Sequence, residues 1–318
     1  MWDILAITGP IYFVILLGYL VTRWGLFAKP DMRVFGKFVI NMALPALLFN
    51  ALSQRSVAEI LNFQYLAAYA LAGLLLLAAS FAWCRWGARR SMSYSSTYAM
   101  GMVCPNSGFV GYPVAVLVLG GSVAGVSLAL NMVIENLLII PILLALSDMG
   151  EEGGGAWHRA AWQTFKGLAR NPMIIAIVAG MAASFLELRL PAPVARTVNL
   201  FAQASGALSL LVIGGSLLGL QVRGMRSEVA QISVGKLILH PLVMLAVLLW
   251  LVPIDDPQLR TAVLLSCAMP MMGIYTILAQ RHGHEGVSSA AMLAATTASF
   301  LSLSGLLLGL RQLPGWLG

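Results

Sequence analysis

The chain has 318 residues, of which 59% are hydrophobic and only 10% charged, with a mean hydropathy of +0.87. A soluble globular domain carries about 25% charged residues, so a water-soluble fold is excluded. The net charge of +7 is then read as loop charge that orients membrane segments, not as a surface for nucleic acid.

No β-barrel alternation is present, and apolar runs near the roughly 20 residues needed to cross a bilayer recur throughout. The expected class is an all-α membrane protein with ten spans. The first, residues 4–22, lacks the basic start and small-residue cleavage site of a removable signal peptide and is read as a span. The second, 34–53, places two amides, Asn41 and Asn50, on either side of Pro45. An amide in lipid needs a partner, so both are expected to face the bundle interior, as helix-to-helix contacts or as substrate ligands. The third span is 63–84.

The fourth, 94–118, contains Cys104-Pro105-Asn106-Ser107-Gly108-Phe109-Val110-Gly111-Tyr112-Pro113. Each proline removes a donor and crowds the preceding turn, so one unbroken helix through both is excluded. The break is read as an unwound segment presenting Asn106 and Ser107 to a substrate, with a simple kink as the alternative. In the fifth span, 123–147, Glu135 is the one carboxyl well inside an apolar run. An unpaired charge there costs at least about 2.5 kcal/mol, so Glu135 is a candidate proton carrier, with Asn131 one turn away on the same face. A structural ion pair is the alternative.

A polar connection at 148–170 divides the chain into 1–147 and 171–318. The second half reads as spans at 171–186, 198–220, 230–252, 258–280 and 287–310. Gly214-Gly215-Ser216 suggests a close-packing face. His240 stands before Pro241, one turn after Lys236, as a proton relay or a packed histidine. The ninth span breaks at Met269-Pro270-Met271-Met272-Gly273-Ile274-Tyr275. Aligning Pro105 with Pro270 also aligns Gly108 with Gly273. Matched broken helices point to the binding site of a secondary transporter, which adds Pro270, Met271, Gly273 and Tyr275 to the candidates. Met271 would pack an apolar part of the substrate or simply the bundle, and Tyr275 could hydrogen-bond the substrate or be a packed phenol.

Five spans per half, an odd number, make the second half enter the membrane from the opposite side, so the repeat is expected to be inverted. Among the basic residues only Arg55, Arg189, Arg196, Arg260 and Arg311 fall on one side. The other 14 of 19, Lys236 among them, fall on the opposite side. Both termini are thus expected outside and the 148–170 linker in the cytoplasm. The three cysteines, Cys84, Cys104 and Cys267, read as buried apolar residues without disulfide or metal spacing. His282 and His284 lack further ligands for a metal site. Neither a phosphate loop nor a GxSxG or HExxH pattern is present, so no enzyme activity and no cofactor are expected.

Residues Asn41 to Phe49, Pro105 to Pro113 and the Pro270 break resemble a bacterial member of the auxin efflux carrier family. That family includes plant PIN-type auxin carriers and bacterial malonate and malate permeases. The resemblance spans essentially the whole chain. It implies ten helices in a 5+5 inverted repeat with broken crossover helices four and nine, and a transport domain moving in elevator fashion. It further implies an organic-acid anion held where those helices cross, with Pro105 and Asn106 as crossover and substrate residues and Pro270 as the opposing break. Sodium sites of related symporters need clustered acidic ligands, so a proton is expected in preference to sodium.

The expected function is a permease for small carboxylates in a bacterial cytoplasmic membrane, its partners the substrate, a coupled proton, the bilayer and, as an option, a second copy in a homodimer. A membrane-embedded organic-acid sensor is the alternative. A passive channel is disfavoured, since no ring of charges is visible.

Overall fold

The computed structural model describes residues 2–55, 61–148, 170–188, 190–219, 226–273, 275–312 and 316. Among them every regular element is a helix. In chain order these are α1 (Trp2–Arg23), α2 (Lys29–Ser53), α3 (Phe63–Gly87), α4 (Met92–Val103), α5 (Ser107–Leu119) and α6 (Gly121–Asp148). There follow α7 (Pro172–Phe185), α8 (Ala192–Ser216), α9 (Arg226–Trp250), α10 (Pro257–Ala268), α11 (Tyr275–Gln280) and α12 (Glu285–Gln312).

Local chemistry sets several of these boundaries. Ser91 Oγ accepts from Tyr94 N, Asn171 Oδ1 from Met173 N, and Asp256 Oδ1 from Gln258 N and Leu259 N, each capping a helix start. Pro172 and Pro257 occupy first helical positions, where a missing N–H costs nothing. Gly120, at a φ of 82°, ends α5 in a conformation that a side chain would strain.

Six helices, α2, α3, α6, α8, α9 and α12, are long and apolar enough to cross a membrane. Shorter apolar helices cover Gly9–Arg23, Ser107–Leu119 and Pro172–Phe185. A 25-residue helix such as α8 is about 37 Å long at 1.5 Å per residue, more than the ~30 Å hydrocarbon core. Trp24, Trp83, Trp86 and Trp250 are exposed at helix ends, where interfacial tryptophans gather. The described helices fall on the segments read from the sequence, and the two breaks expected at Pro105 and Pro270 are present. The segments expected at 94–118 and 258–280 are each two helices separated by a non-helical break.

By packing, the chain divides into two compact units. The first comprises residues 1–63, 107–132 and 169–219, and the second residues 64–106, 133–168 and 220–318. Within the first, α8 packs along α1 and α2, α7 packs on α2, and α5 touches α1 and α8. Gly18 and Gly214 allow this proximity: a Cβ on Gly214 would lie 1.8 Å from the Ile15 carbonyl oxygen, and one on Gly18 2.2 Å from that of Leu211. The small-residue face expected at Gly214 is therefore a backbone-to-backbone contact. Within the second unit, α4 packs against the end of α6 and against α9, α11 and α12. Its core is built from Met100, Met102, Ile139, Ile232, Met271 and Tyr275, among others. The linker expected at 148–170 lies outside the described residues between 149 and 169.

Candidate functional site

Helix α4 makes its last regular bond from Cys104 N to Met100 O, and α10 ends as Met269 turns to extended backbone. Beyond each end comes a proline, which cannot donate to the preceding turn. The two breaks satisfy one another. Asn106 N donates to Pro270 O at 2.7 Å, Met272 N donates to Cys104 O at 3.1 Å, and Pro105 and Met271 face each other as an antiparallel bridge. Backbone freed from a helix inside a membrane is tolerated only where protein or a water-filled cavity surrounds it. Here the supply is reciprocal, and Pro105, Asn106, Pro270 and Met271 are all buried.

Helix α9 brings a cation to this place. Lys236 is fully buried, and its Nζ lies 3.0 Å from Cys267 O and 2.6 Å from His240 Nδ1. In an unbroken helix Cys267 O would accept from the residue four positions on, but the break after Ala268 leaves that carbonyl at the negative end of α10. Gly235 lets α9 approach, since a Cβ there would come within 2.4 Å of Met102 Sδ. Lys236 lies within a π-turn, Gly235–Leu239, that re-aims the helix face. His240 Nε2, on the far side of the ring, is buried with no protein partner among the described residues.

Glu135 begins a second π-turn, Glu135–Ile139, in α6. It is 3% exposed, and Tyr69 of α3 donates its hydroxyl to Glu135 Oε1 at 2.7 Å. Glu135 is near enough to Lys236 for the two charges to act on each other. Tyr275 follows the second break, its hydroxyl buried with no hydrogen-bond partner among the described residues. Gly101 gives that ring its room, because a Cβ there would meet the hydroxyl oxygen at 2.7 Å.

Of the expected residues, Pro105, Asn106, Glu135, His240, Pro270, Met271, Gly273 and Tyr275 all fall in the second unit, whereas Ser107, Gly108, Asn131, Asn41 and Asn50 fall in the first. The bundle-facing orientation expected for Asn41 does not hold. Its side chain is exposed, and its amide donates to Lys37 O of its own helix at 2.7 Å, a bond one turn back that needs no neighbouring helix. Asn50 Oδ1 accepts from Gln54 Nε2 at 2.6 Å beside a cleft of about 750 Å³ lined by Gln54, Arg55, Ser184 and Glu187. That cleft contains none of the break residues. His284 meets Ser93 Oγ at 3.1 Å, and His282 lies 3.8 Å from the Asp148 carboxylate.

Lys236 and Tyr69 were not among the candidates. The loop position expected for Lys236 is corrected by its burial inside α9, which leaves 13 basic residues against 5 in the loop comparison, and the asymmetry stands. The lysine–histidine spacing of four within an apolar run was the available signal, since it stacks both on one helix face. Tyr69, an aromatic in an apolar helix 66 residues from its partner, carried no signal.

The family profile described as "Membrane transport protein" matches residues 6–158 and 156–307. The chain is 28% identical over 314 residues to a Rhizobium meliloti (strain 1021) protein named "Putative malonate transporter", covering 98% of this chain and 97% of that one. It is 29% identical over 245 residues to "Uncharacterized transporter YfdV" of Escherichia coli (strain K12), covering 75% and 76% of the two chains. It is also 28% identical over 149 residues to "Auxin efflux carrier component 2" of Arabidopsis thaliana, covering 46% of this chain and 23% of that one.

Proposed function

Because the chain belongs to the membrane transport (auxin efflux carrier) family, we propose that it is a secondary transporter of small organic-acid anions across the cytoplasmic membrane. The observation that carries this reading is the reciprocal backbone pairing of the two breaks, Asn106 N to Pro270 O and Met272 N to Cys104 O. A fold that unwinds two buried helices at one point and pairs them there gives up regular helical bonds, as the broken helices at a secondary transporter's binding site do. The relative named for malonate transport, which matches along nearly its whole length, directs the substrate class toward small carboxylates.

In this reading the ten segments form a 5+5 inverted repeat of residues 1–147 and 171–318, with crossover helices at positions four and nine. The composition of the packing units supports it. The first unit holds spans one and two with six and seven, and the second holds three with eight, together with nine and ten, while spans four and five are divided between the units. The pairing of one and two with six and seven, and of three with eight, is what inverted repeats sharing their helices between a scaffold and a moving body would give. Access alternates as the moving body carries the site in elevator fashion. The carboxylate is received by the Asn106 amide, whose N–H donors recognise an anion without a counter-ion. Both termini are outside. An anion gains about 2.3 kcal/mol per charge by leaving a compartment held 100 mV negative inside, so uptake requires a coupled cation, and Glu135 is the carrier proposed for a proton.

The test is flux of a labelled carboxylate panel, malonate and malate included, in proteoliposomes with pH and sodium gradients set separately. Saturable exchange of at least one acid is expected. Tight ligand binding without any counterflow would replace the carrier with a sensor.

A further inference from the structure

The geometry points to Lys236 as a resident counter-cation: a tethered ammonium that fills, at the carbonyl end of the broken helix α10, the place a co-transported alkali cation would otherwise need to occupy. This rests on the paired breaks being the working centre, but not on which anion is carried.

A broken helix leaves its final carbonyls without intrahelical partners and its negative dipole end uncompensated. At membrane depth something positive or hydrogen-donating must meet that end. A partly dehydrated metal ion ringed by carbonyl oxygens is one solution. In this chain Lys236 Nζ is 3.0 Å from Cys267 O, the side chain is 0% exposed, and the second contact is the ring nitrogen His240 Nδ1 at 2.6 Å. The ammonium therefore contacts a carbonyl oxygen and a ring nitrogen, the kinds of atom that would otherwise ligate an ion, with no carboxylate in direct salt bridge to it among the described residues. The titratable groups that act on it are His240 on its own helix, Glu135 of α6, Cys104 of α4 and Cys267 of α10. Tyr69 in turn donates its hydroxyl to Glu135 Oε1. Gly235 leaves the space that the Met102 side chain fills beside the lysine, since a Cβ there would come within 2.4 Å of Met102 Sδ. On this inference the lysine holds the place an alkali cation would need, and removing its stem would open that place.

Thermal unfolding of the purified full chain, without substrate, in chloride salts of sodium, potassium, ethylammonium and choline is the test. Wild type should unfold at the same temperature in all four at equal ionic strength. Lys236→Ala should unfold several degrees lower in choline and recover saturably with ethylammonium or sodium, which fit the vacated space. Lys236→Met, which keeps the bulk but removes the charge, should show the loss and no recovery. Saturable stabilisation of wild type by sodium over choline would overturn the inference even if neither variant folds. So would Lys236→Met matching wild type, or a Lys236→Ala loss that every cation leaves unchanged. None of these readings depends on flux, so failure of the carrier reading and failure of this one are separable.

Discussion

Replacing Tyr69 by Phe, alone and together with Glu135→Gln, reads the charge state of the carboxyl that the transport cycle relies on. Tyr69 and Glu135 are each 3% exposed and share a 2.7 Å hydrogen bond. A hydrogen bond to a charged group contributes about 1.5–3 kcal/mol and a neutral one about 1 kcal/mol. If Glu135 carries its charge in the resting protein, Tyr69→Phe should cost the larger amount in wild type and the smaller one in the Glu135→Gln background. The difference, about 0.5–2 kcal/mol, is the coupling free energy of the pair. At roughly 2–4 °C per kcal/mol it appears as a non-additive shift in unfolding temperature across the four proteins. The same Glu135→Gln protein, reconstituted, should lose proton-driven uptake yet keep substrate counterflow, because Gln preserves size and hydrogen bonding but cannot release a proton. Equal costs of Tyr69→Phe in both backgrounds, with a wild-type ratio of driven uptake to counterflow in Glu135→Gln, would refute the proton-carrier role.

Gly214→Val should abolish folded yield, because its Cβ would sit 1.8 Å from the Ile15 carbonyl and neither backbone can yield cheaply; overpacking typically costs about 1–3 kcal/mol, occasionally more. Gly206→Ala, with nothing within 4 Å, should behave as wild type in size-exclusion and thermal scans. Arg90→Ala breaks the 2.7 Å pair with Glu228, but the arginine side chain is 48% exposed, so its unfolding temperature should move by no more than a surface ion pair's worth, less than about 1 kcal/mol. Reporter fusions at Gly318 and near Gly154 should read outside and cytoplasmic respectively, and a cytoplasmic Gly318 would contradict the ten-span inverted arrangement.

Helix positions were legible because a membrane chain writes its spans as apolar runs, and the breaks were legible because Pro105 and Pro270 interrupt two such runs. How the breaks complete each other was not: the acceptors at Cys104, Cys267 and Pro270 are main-chain carbonyls, present at every residue and therefore silent in sequence. Lys236 was misread for a related reason. A basic residue near a span's end looks like loop charge until three-dimensional packing encloses it, and only the His240 spacing hinted otherwise. Asn41 failed in the opposite sense, since hydropathy says that a membrane amide needs a partner but not that Lys37 O, one turn back, supplies it. Glu135 was found by its charge, while Tyr69 became visible only through the fold.

Counterflow of labelled malonate in proteoliposomes, wild type against Asn106→Ala, bears most directly on the claim that the paired breaks hold a small carboxylate. The Asn106 backbone bond to Pro270 O survives the substitution, so the variant should fold and unfold like wild type. Wild type should show saturable counterflow and Asn106→Ala should lose it. Full counterflow in the folded variant would contradict the assignment of the breaks as the substrate site.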